Sequence, residues 1–179
     1  MAAPSETLTK LLVTGRLGYG MTNLTGTFPF NGTSLGTVGG VVLRTPSEYA
    51  IRREEERATA GQVQYMGGDV ILGCLMEQWD DDDISAVWPS VATRTGDVMV
   101  TFPGTPGPKV TALTNLLFWP HNSAHPGVVL FSAAPRMAAG AELFLSRGRP
   151  LSVPVLFVGL PNASGQVGEL GLASKLTVS

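Results

Sequence analysis

The stretch GGDVILGCLMEQWDDDDISAVWP, residues 67–89, joins a glycine turn, an apolar strand and an acidic corner. Its opening Gly-Gly-Asp predicts a turn, because glycine reaches positive φ without steric cost. From Val70 to Trp79, apolar side chains occupy both alternating sets of positions. A strand with one solvated face would instead carry a polar residue at every second position. We therefore predict a strand that is buried on both faces, within its own domain or by a neighbouring subunit.

The acidic corner that follows is predicted to open a short helix. It consists of Asp80, Asp81, Asp82 and Asp83. Aspartate is unfavourable in strands but favourable at a helix N-terminus, where its carboxylate accepts hydrogen bonds from free N–H groups. Ile84, Val87 and Trp88 then recur at helical spacing, and Pro89 ends the element. The run lacks the spacing and the glycine of a calcium-binding EF-hand loop, so a helix start or an acidic patch is favoured.

The composition indicates one domain with a weakly charged surface. Of the 179 residues, 44% are hydrophobic and 15% are charged, whereas soluble domains usually have about 25% charged residues. This difference favours burial of part of the surface in an oligomer. The net charge of −2 does not supply the basic footprint of a protein that grips DNA or an anionic membrane. Direct nucleic-acid binding is therefore disfavoured.

Residues capable of catalysis or metal binding form no recognisable motif. The single cysteine, Cys74, lies in the most apolar strand and is interpreted as a buried core residue. His121 and His125 are bracketed by prolines in a predicted loop and have no third ligand nearby in sequence, so metal binding is disfavoured. The chain contains no GxSxG, P-loop or GxGxxG sequence. We predict a protein that is not an enzyme and uses no cofactor.

The sequence also carries no predicted membrane anchor. The N-terminus lacks a basic region followed by a long apolar segment, which argues against a secretory signal. No apolar run reaches the length that crosses a bilayer. These features predict folding in the reducing cytoplasm.

Glycine and proline punctuate the chain and predict a single mainly β domain over residues 1–179. The 22 glycines and 13 prolines are scattered, as is typical of antiparallel β proteins with many turns. Residues 18–36 are predicted as an ordered surface loop anchored by Phe28 and Phe30. Further predicted strands span residues 8–17, with a kink at Gly15, and residues 38–44, 97–102, 109–119, 128–131, 141–145 and 151–160. A turn is predicted at 161–165, and residues 169–179 are predicted as a final strand or a C-terminal arm.

Residues 44–68 form the most highly charged region and are predicted to form a long projecting hairpin. Between positions 44 and 57 the chain holds four arginines and four glutamates, without a continuous apolar stripe. A charge run is usually a solvated face, but an arm of mixed charge also suits an inter-subunit contact. The tip is predicted near residues 58–61. The candidate contact residues are Arg44, Glu48, Tyr49, Arg52, Arg53, Glu54, Glu55, Glu56 and Arg57.

Four further segments give the chain a resemblance to a known family. They are GRL at 15–17 with TNL at 22–24, FPFNGTSLG at 28–36, and VPVLFVGLPNASGQVGELG at 153–171. Together with the charged hairpin and the stretch at 67–89, they resemble the tail tube proteins of long-tailed bacteriophages, or a related ring-forming tail or neck protein. The similarity spans most of the chain.

The resemblance implies a β-sandwich or barrel of antiparallel strands, flanked by one helix at residues 80–88. It also implies hexameric rings that stack into a tube through the hairpin at 44–68 and through terminal arms, including residues 169–179. The implied role is a structural virion protein of the tail that conducts DNA during ejection. The implied partners are other copies of the chain and tail proteins such as the tape measure, terminator and baseplate proteins. DNA is then only passing cargo in an acidic bore.

Two other classes of protein stay open at this point. A β-sandwich decoration or receptor-binding module is equally compatible with low charge and Gly/Thr-rich loops. An enzyme with dispersed carboxylates has the least support, because no local motif argues for it.

Overall fold

Antiparallel strands make up most of the structure of this chain. The computed structural model describes residues 7–10, 14–45, 48–53, 60–67, 69–78, 83, 86–87, 92–93, 100–101, 110–137 and 152–178. The strands are β1 (Thr7–Lys10), β2 (Gly15–Tyr19), β3 (Thr33–Thr45), β4 (Glu48–Arg53), β5 (Ala60–Gly67), β6 (Ile71–Met76), β7 (Ala92–Thr93), β8 (Val100–Thr101), β9 (Leu113–Pro120), β10 (Pro126–Met137), β11 (Val153–Leu160) and β12 (Gly168–Leu172). A short 3₁₀ helix spans Ala173–Lys175. No helix in these ranges is long and apolar enough to span a membrane.

Six of these strands close into an antiparallel barrel. They follow one another in the order β3, β2, β9, β10, β11 and β6, and β6 pairs with β3 to complete the ring. The predicted mainly β, antiparallel fold is confirmed, and its form is a barrel. Closure satisfies the backbone groups of every barrel strand on both edges, which an open sheet cannot do.

The first predicted strand is divided in two by the structure. β1 and β2 pair with successive parts of the same edge of β3, Thr7 lying opposite Thr45 and Gly15 opposite Val38. A single strand kinked at Gly15 was predicted for residues 8–17. The structure has two strands in this region, and β2 begins at Gly15. β3 is longer than the predicted strand at 38–44, because residues 33–36 belong to it and not to the preceding loop.

The main core fills the barrel interior with alternate residues of each strand. Leu72, Cys74 and Met76 of β6 are buried there, together with Phe118 and Phe157 from the strands opposite. The intervening residues of β6 face outward, and Leu75 is 41% exposed. The chain by itself therefore does not bury both faces of this strand, and burial of the outer face by a neighbouring subunit stays a prediction. Its outward side chains are apolar, but no other part of the described chain buries them fully.

Two strands that are buried on both faces are β9 and β10. Leu116 and Phe118 pack in the main core, whereas Leu117 packs in a second cluster with Val129 and Phe131 of β10. The loop at 20–32 contributes the fully buried Met21 to this cluster, and the C-terminal segment contributes Leu176. These two segments thus cover the outer face of β9 and β10, which explains the continuous apolar run of β9.

A tight contact between β3 and the end of β6 closes the barrel seam. The backbone N–H of Glu77 donates to the carbonyl oxygen of Thr37 at 2.8 Å, and the Thr37 hydroxyl donates to Oε1 of Gln78 at 2.9 Å. Gly36 has φ of +84°, and a Cβ placed on it would lie 1.9 Å from the carbonyl oxygen of Gln78. Only glycine fits this position without displacement of the backbone.

The remaining predicted elements have mixed outcomes. The strand at 109–119 is confirmed as β9, that at 128–131 extends to the whole of β10, and that at 151–160 is β11. The predicted turn at 161–165 is present, with Oδ1 of Asn162 accepting from the N–H groups of Ser164 and Gln166. Within residues 97–102 the structure describes only β8, and 141–145 lies outside the described residues. Residues 169–178 contain most of β12, which pairs with β10, and the 3₁₀ helix; their use as an arm stays a prediction.

Candidate functional site: the projecting hairpin and the outer barrel wall

The predicted hairpin is formed by β4 and β5, which make a two-stranded sheet of their own. Glu48 lies opposite Gly67, and Arg53 lies opposite Ala60. Within the described residues neither strand pairs with a barrel strand. Of the predicted tip at 58–61, residues 60–61 belong to β5, where Ala60 lies opposite Arg53, and residues 58–59 lie outside the described residues. A lone two-stranded hairpin is marginally stable in water. Packing against another surface would therefore stabilise this hairpin.

Barrel topology places the β3–β6 and β6–β9 connections at opposite ends. Neighbouring barrel strands alternate in direction, so the connections β2–β3, β6–β9 and β10–β11 emerge at one end. The connections β3–β6 and β9–β10 emerge at the other end. The hairpin belongs to the β3–β6 connection, whereas residues 80–83 belong to the β6–β9 connection.

The predicted contact residues divide between three locations. Glu48, Tyr49, Arg52 and Arg53 lie on β4, whereas Arg44 lies exposed near the end of β3. The others, Glu54, Glu55, Glu56 and Arg57, lie outside the described residues. The structure therefore brings the first group together on one strand.

Of the four aspartates in the acidic corner, the structure describes only Asp83. Asp83, Ala86 and Val87 are helical. Asp83 and Val87 are buried, and Ala86 is partly buried. This agrees with the predicted short helix at its described positions, and Val87 packs in the main core as its helical spacing suggests. The other aspartates, Asp80, Asp81 and Asp82, lie outside the described residues.

An apolar groove on the outer wall was not predicted as a distinct feature. It runs over β3, β6 and β11, has a volume of about 330 Å³, and has Val42, Leu75 and Leu156 in its lining. Two glycines form its floor, Gly40 at a β-bulge with φ of +58° and Gly73 on β6. Their missing side chains create the depression. The sequence signal for this groove was the set of apolar side chains on the outer face of β6. They were interpreted from the sequence as evidence that both faces of the strand are buried.

The residues considered for chemistry lie apart from one another. Burial raises the pKa of Cys74 to about 12, because the thiolate would lose its hydration. A thiol of this kind is a core residue and not a nucleophile. His121 and His125 are exposed in the β9–β10 turn, where the N–H of His125 donates to the carbonyl oxygen of Asn122 at 3.0 Å. The described part of the chain contains no group of three or more potential metal-ligating side chains.

Comparison with known proteins assigns no family. No protein-family model matches the sequence, and no curated protein matches it.

Proposed function

We propose that this chain is a structural subunit that assembles into stacked hexameric rings, forming the tail tube of a long-tailed bacteriophage or a closely related ring of its tail or neck. The observation that carries the proposal is the combination of a closed barrel with a hairpin that has its own sheet. A barrel offers a rigid wall element, and β4–β5 forms a separate two-stranded sheet that can serve as an arm. The resemblance of the sequence to tail tube proteins points to the same arrangement.

The surface of the barrel supports assembly through apolar contacts. Leu75, Leu160, Leu170 and Leu172 are each exposed by 38% or more. Exposed leucines concentrated on a few strands are typical of surfaces that a partner covers. In the proposed ring, neighbouring subunits bury part of this surface, which also accounts for the small charged fraction of the chain.

The charge of the chain supports a passive conduit. DNA-binding proteins concentrate lysine and arginine on one face, whereas this chain carries a net charge of −2 and has its arginine-rich hairpin balanced by glutamates. A bore with weak repulsion lets a polyanion pass without capture. The free protein is expected to show no DNA affinity at physiological salt. A mobility shift at micromolar protein that weakens steeply with salt contradicts the conduit role.

The experiment that tests the proposal removes the end of the hairpin. In the variant, residues 54–59 are replaced by Asn-Gly, a pair that favours the tight turn of a two-residue hairpin. If the hairpin links rings, this variant keeps the fold of the wild-type subunit but loses stacked assemblies in analytical ultracentrifugation. A matched control replaces Ala163 in the β11–β12 turn by glycine and assembles like the wild type. Wild-type protein that stays monomeric at high concentration contradicts the proposal and favours a decoration or receptor-binding module.

A further inference from the structure

The loop at 20–32 contains the only Asn-Gly pair of the sequence, Asn31-Gly32. Asparagine followed by glycine is the pair at which a chain deamidates most readily, because glycine has no side chain to hinder the approach of its backbone nitrogen. This nitrogen attacks Cγ of the asparagine, gives up its proton to solvent base, and displaces ammonia to form a succinimide ring. Water then opens the ring at either carbonyl group and leaves an aspartyl or an isoaspartyl residue.

Steric contacts at the end of the loop fix the glycine of this pair. A Cβ placed on Gly32 would lie 2.5 Å from the carbonyl oxygen of Tyr19 and 2.9 Å from Cγ of Met21. The first contact is with backbone, so a change of rotamer cannot make room for a larger residue. Thr33, the next residue, pairs with Tyr19 across β2 and β3. The fold therefore retains a chemically labile pair at the point where the loop joins β3.

Both reacting groups of the pair are held in other hydrogen bonds. The N–H of Gly32, whose nitrogen is the nucleophile, donates to the carbonyl oxygen of Pro29 at 2.9 Å. Oδ1 of Asn31 accepts from the N–H of Thr22 at 3.1 Å, and Nδ2 of Asn31 donates to the hydroxyl of the same threonine. Attack requires the carboxamide and the N–H to leave these partners. The reaction therefore waits for a local opening of the loop.

Packing also keeps the loop closed. Met21 is fully buried and packs in one cluster with Leu117 of β9. Phe30 packs edge to face on Trp119 at 5.1 Å between ring centroids. An opening that disrupts these contacts is rare, because it loses buried apolar surface as well as hydrogen bonds. Asn31 itself is exposed, so water and base reach it once the loop opens.

We infer that Asn31-Gly32 is a latent modification site, which the closed loop protects from deamidation through the contact with Thr22. The isoaspartyl product adds a methylene group to the backbone between residues 31 and 32, where Gly32 already lies against the backbone of Tyr19. The modified loop cannot close in the same register, so the reaction makes the opening permanent and uncovers the outer face of β9 and β10. The inference does not rest on ring assembly, because every contact lies within one chain.

Ageing of the folded protein at mildly alkaline pH, followed by peptide mapping that separates the asparaginyl, aspartyl and isoaspartyl forms, tests the inference. The reference is the synthetic peptide FPFNGTS, residues 28–34, which has the same local sequence without the contacts to the rest of the loop. Asn31 is expected to deamidate at least about tenfold more slowly in the folded protein than in the peptide, because the loop must open first. In urea, the unfolded protein and the peptide are expected to react at the same rate.

Variants of two threonines locate the protection. Thr22→Ala removes the hydroxyl that accepts from Nδ2 and is expected to raise the deamidation rate of the folded protein by about fivefold, as expected for the loss of one hydrogen bond. Thr22→Ser keeps a hydroxyl and is expected to react like the wild type. Thr25→Ala is the matched control, because the Thr25 hydroxyl donates to Oδ1 of Asn23 in the same loop. Both threonines are exposed, so thermal melts that match the wild type verify the fold.

The separated products test the consequence for the loop. An Asn31→Asp variant offers one carboxylate oxygen to the N–H of Thr22 and the other to its hydroxyl, which can donate instead of accept. This variant is expected to melt like the wild type. The isoaspartyl form isolated from aged protein is expected to melt at a lower temperature, because its longer backbone keeps the loop from closing.

Three results would overturn the inference. They are equal deamidation rates in the folded protein and the peptide, a Thr22→Ala variant that reacts like the wild type, and an isoaspartyl form that melts like Asn31→Asp. Equal acceleration in Thr22→Ala and Thr25→Ala would also overturn it, because it would show a general loosening of the loop and no role for the Thr22 contact.

Discussion

Leu72 and Leu75 lie on the same strand but face opposite sides of the barrel wall. Leu72 is fully buried, whereas Leu75 is 41% exposed in the outer groove. Leu72→Ala is expected to lower the free energy of unfolding by about 2–5 kcal/mol, through lost apolar transfer and a residual cavity. Leu75→Ala is expected to cost less than about 1 kcal/mol in the monomer. Urea denaturation of both variants measures the difference, and equal losses would contradict the assignment of the two faces.

Cys74 is expected to be protected from thiol reagents in the folded protein. Its pKa is raised to about 12 by burial, so at pH 8 the folded state holds almost no thiolate. Labelling by a disulfide reagent at pH 8 should therefore be slow until denaturant is added. Rapid labelling under native conditions would show that β6 opens readily.

The same pKa shift has a defined consequence for stability at high pH. The folded state keeps the thiol proton at a pH where the unfolded chain loses it, so stability falls as pH rises from about 9 towards 12. Below the unfolded pKa this contribution to stability is fully present. Lysine and tyrosine also titrate in this window, so the relevant quantity is the difference between the wild type and Cys74→Ala. A Cys74→Ala variant with the same decline would contradict the assignment to this thiol.

At the scale of elements, the contact between β3 and the end of β6 is the most constrained point of the barrel. A Cβ on Gly36 would overlap the carbonyl oxygen of Gln78, whereas a Cβ on Gly20 would meet no atom within 4 Å. Both residues have positive φ, +84° and +75°, so alanine at either site carries similar backbone strain of about 1–2 kcal/mol. Gly36→Ala is expected to cost at least about 2 kcal/mol more than Gly20→Ala, through steric overlap at the seam. Equal thermal stabilities of the two variants would show that the seam accommodates a side chain.

The hairpin is expected to exchange its amide protons rapidly in an isolated subunit. β4 and β5 form a two-stranded sheet without a barrel partner among the described residues, and such a sheet has little local stability. Hydrogen exchange measured before and after assembly should show protection of residues 48–53 and 60–67 only in the assembled state. The β9 amides serve as the control, since β9 lies between β2 and β10 in the barrel and should be protected in both states. Strong protection of the hairpin in the monomer would contradict its role as a contact between subunits.

Local sequence patterns predicted where the strands and the hairpin lie better than they predicted which strand faces are buried. The lack of a continuous apolar stripe in residues 44–68 indicated a hairpin, and β4 and β5 form one within that range. The apolar run of β6 and that of β9 look alike in sequence, yet only β9 has both faces buried. The difference arises because the loop at 20–32 and Leu176 pack over β9. This contact joins distant parts of the chain, so the periodicity of a single strand cannot predict it.

At the scale of the whole molecule, the closed barrel has two different ends. One end carries the β3–β6 connection, which contains the β4–β5 hairpin, and the β6–β9 connection begins at the other. In the proposed assembly, this polarity suits subunits that add in one direction. The proposed ring closure depends on contacts between copies, and the apolar groove depends on how β3, β6 and β11 pack side by side; residue patterns along the chain specify neither.

Negative-stain electron microscopy of the purified wild-type protein at high concentration tests the proposed ring assembly most directly. The account predicts closed rings with an open central bore and, as concentration rises, stacks of such rings in register. The hairpin-shortened variant should give single rings or free subunits on the same grid. A field of small compact particles without a bore, unchanged with concentration and with a monomer mass in solution, would contradict the proposal that this barrel is the wall of a tube.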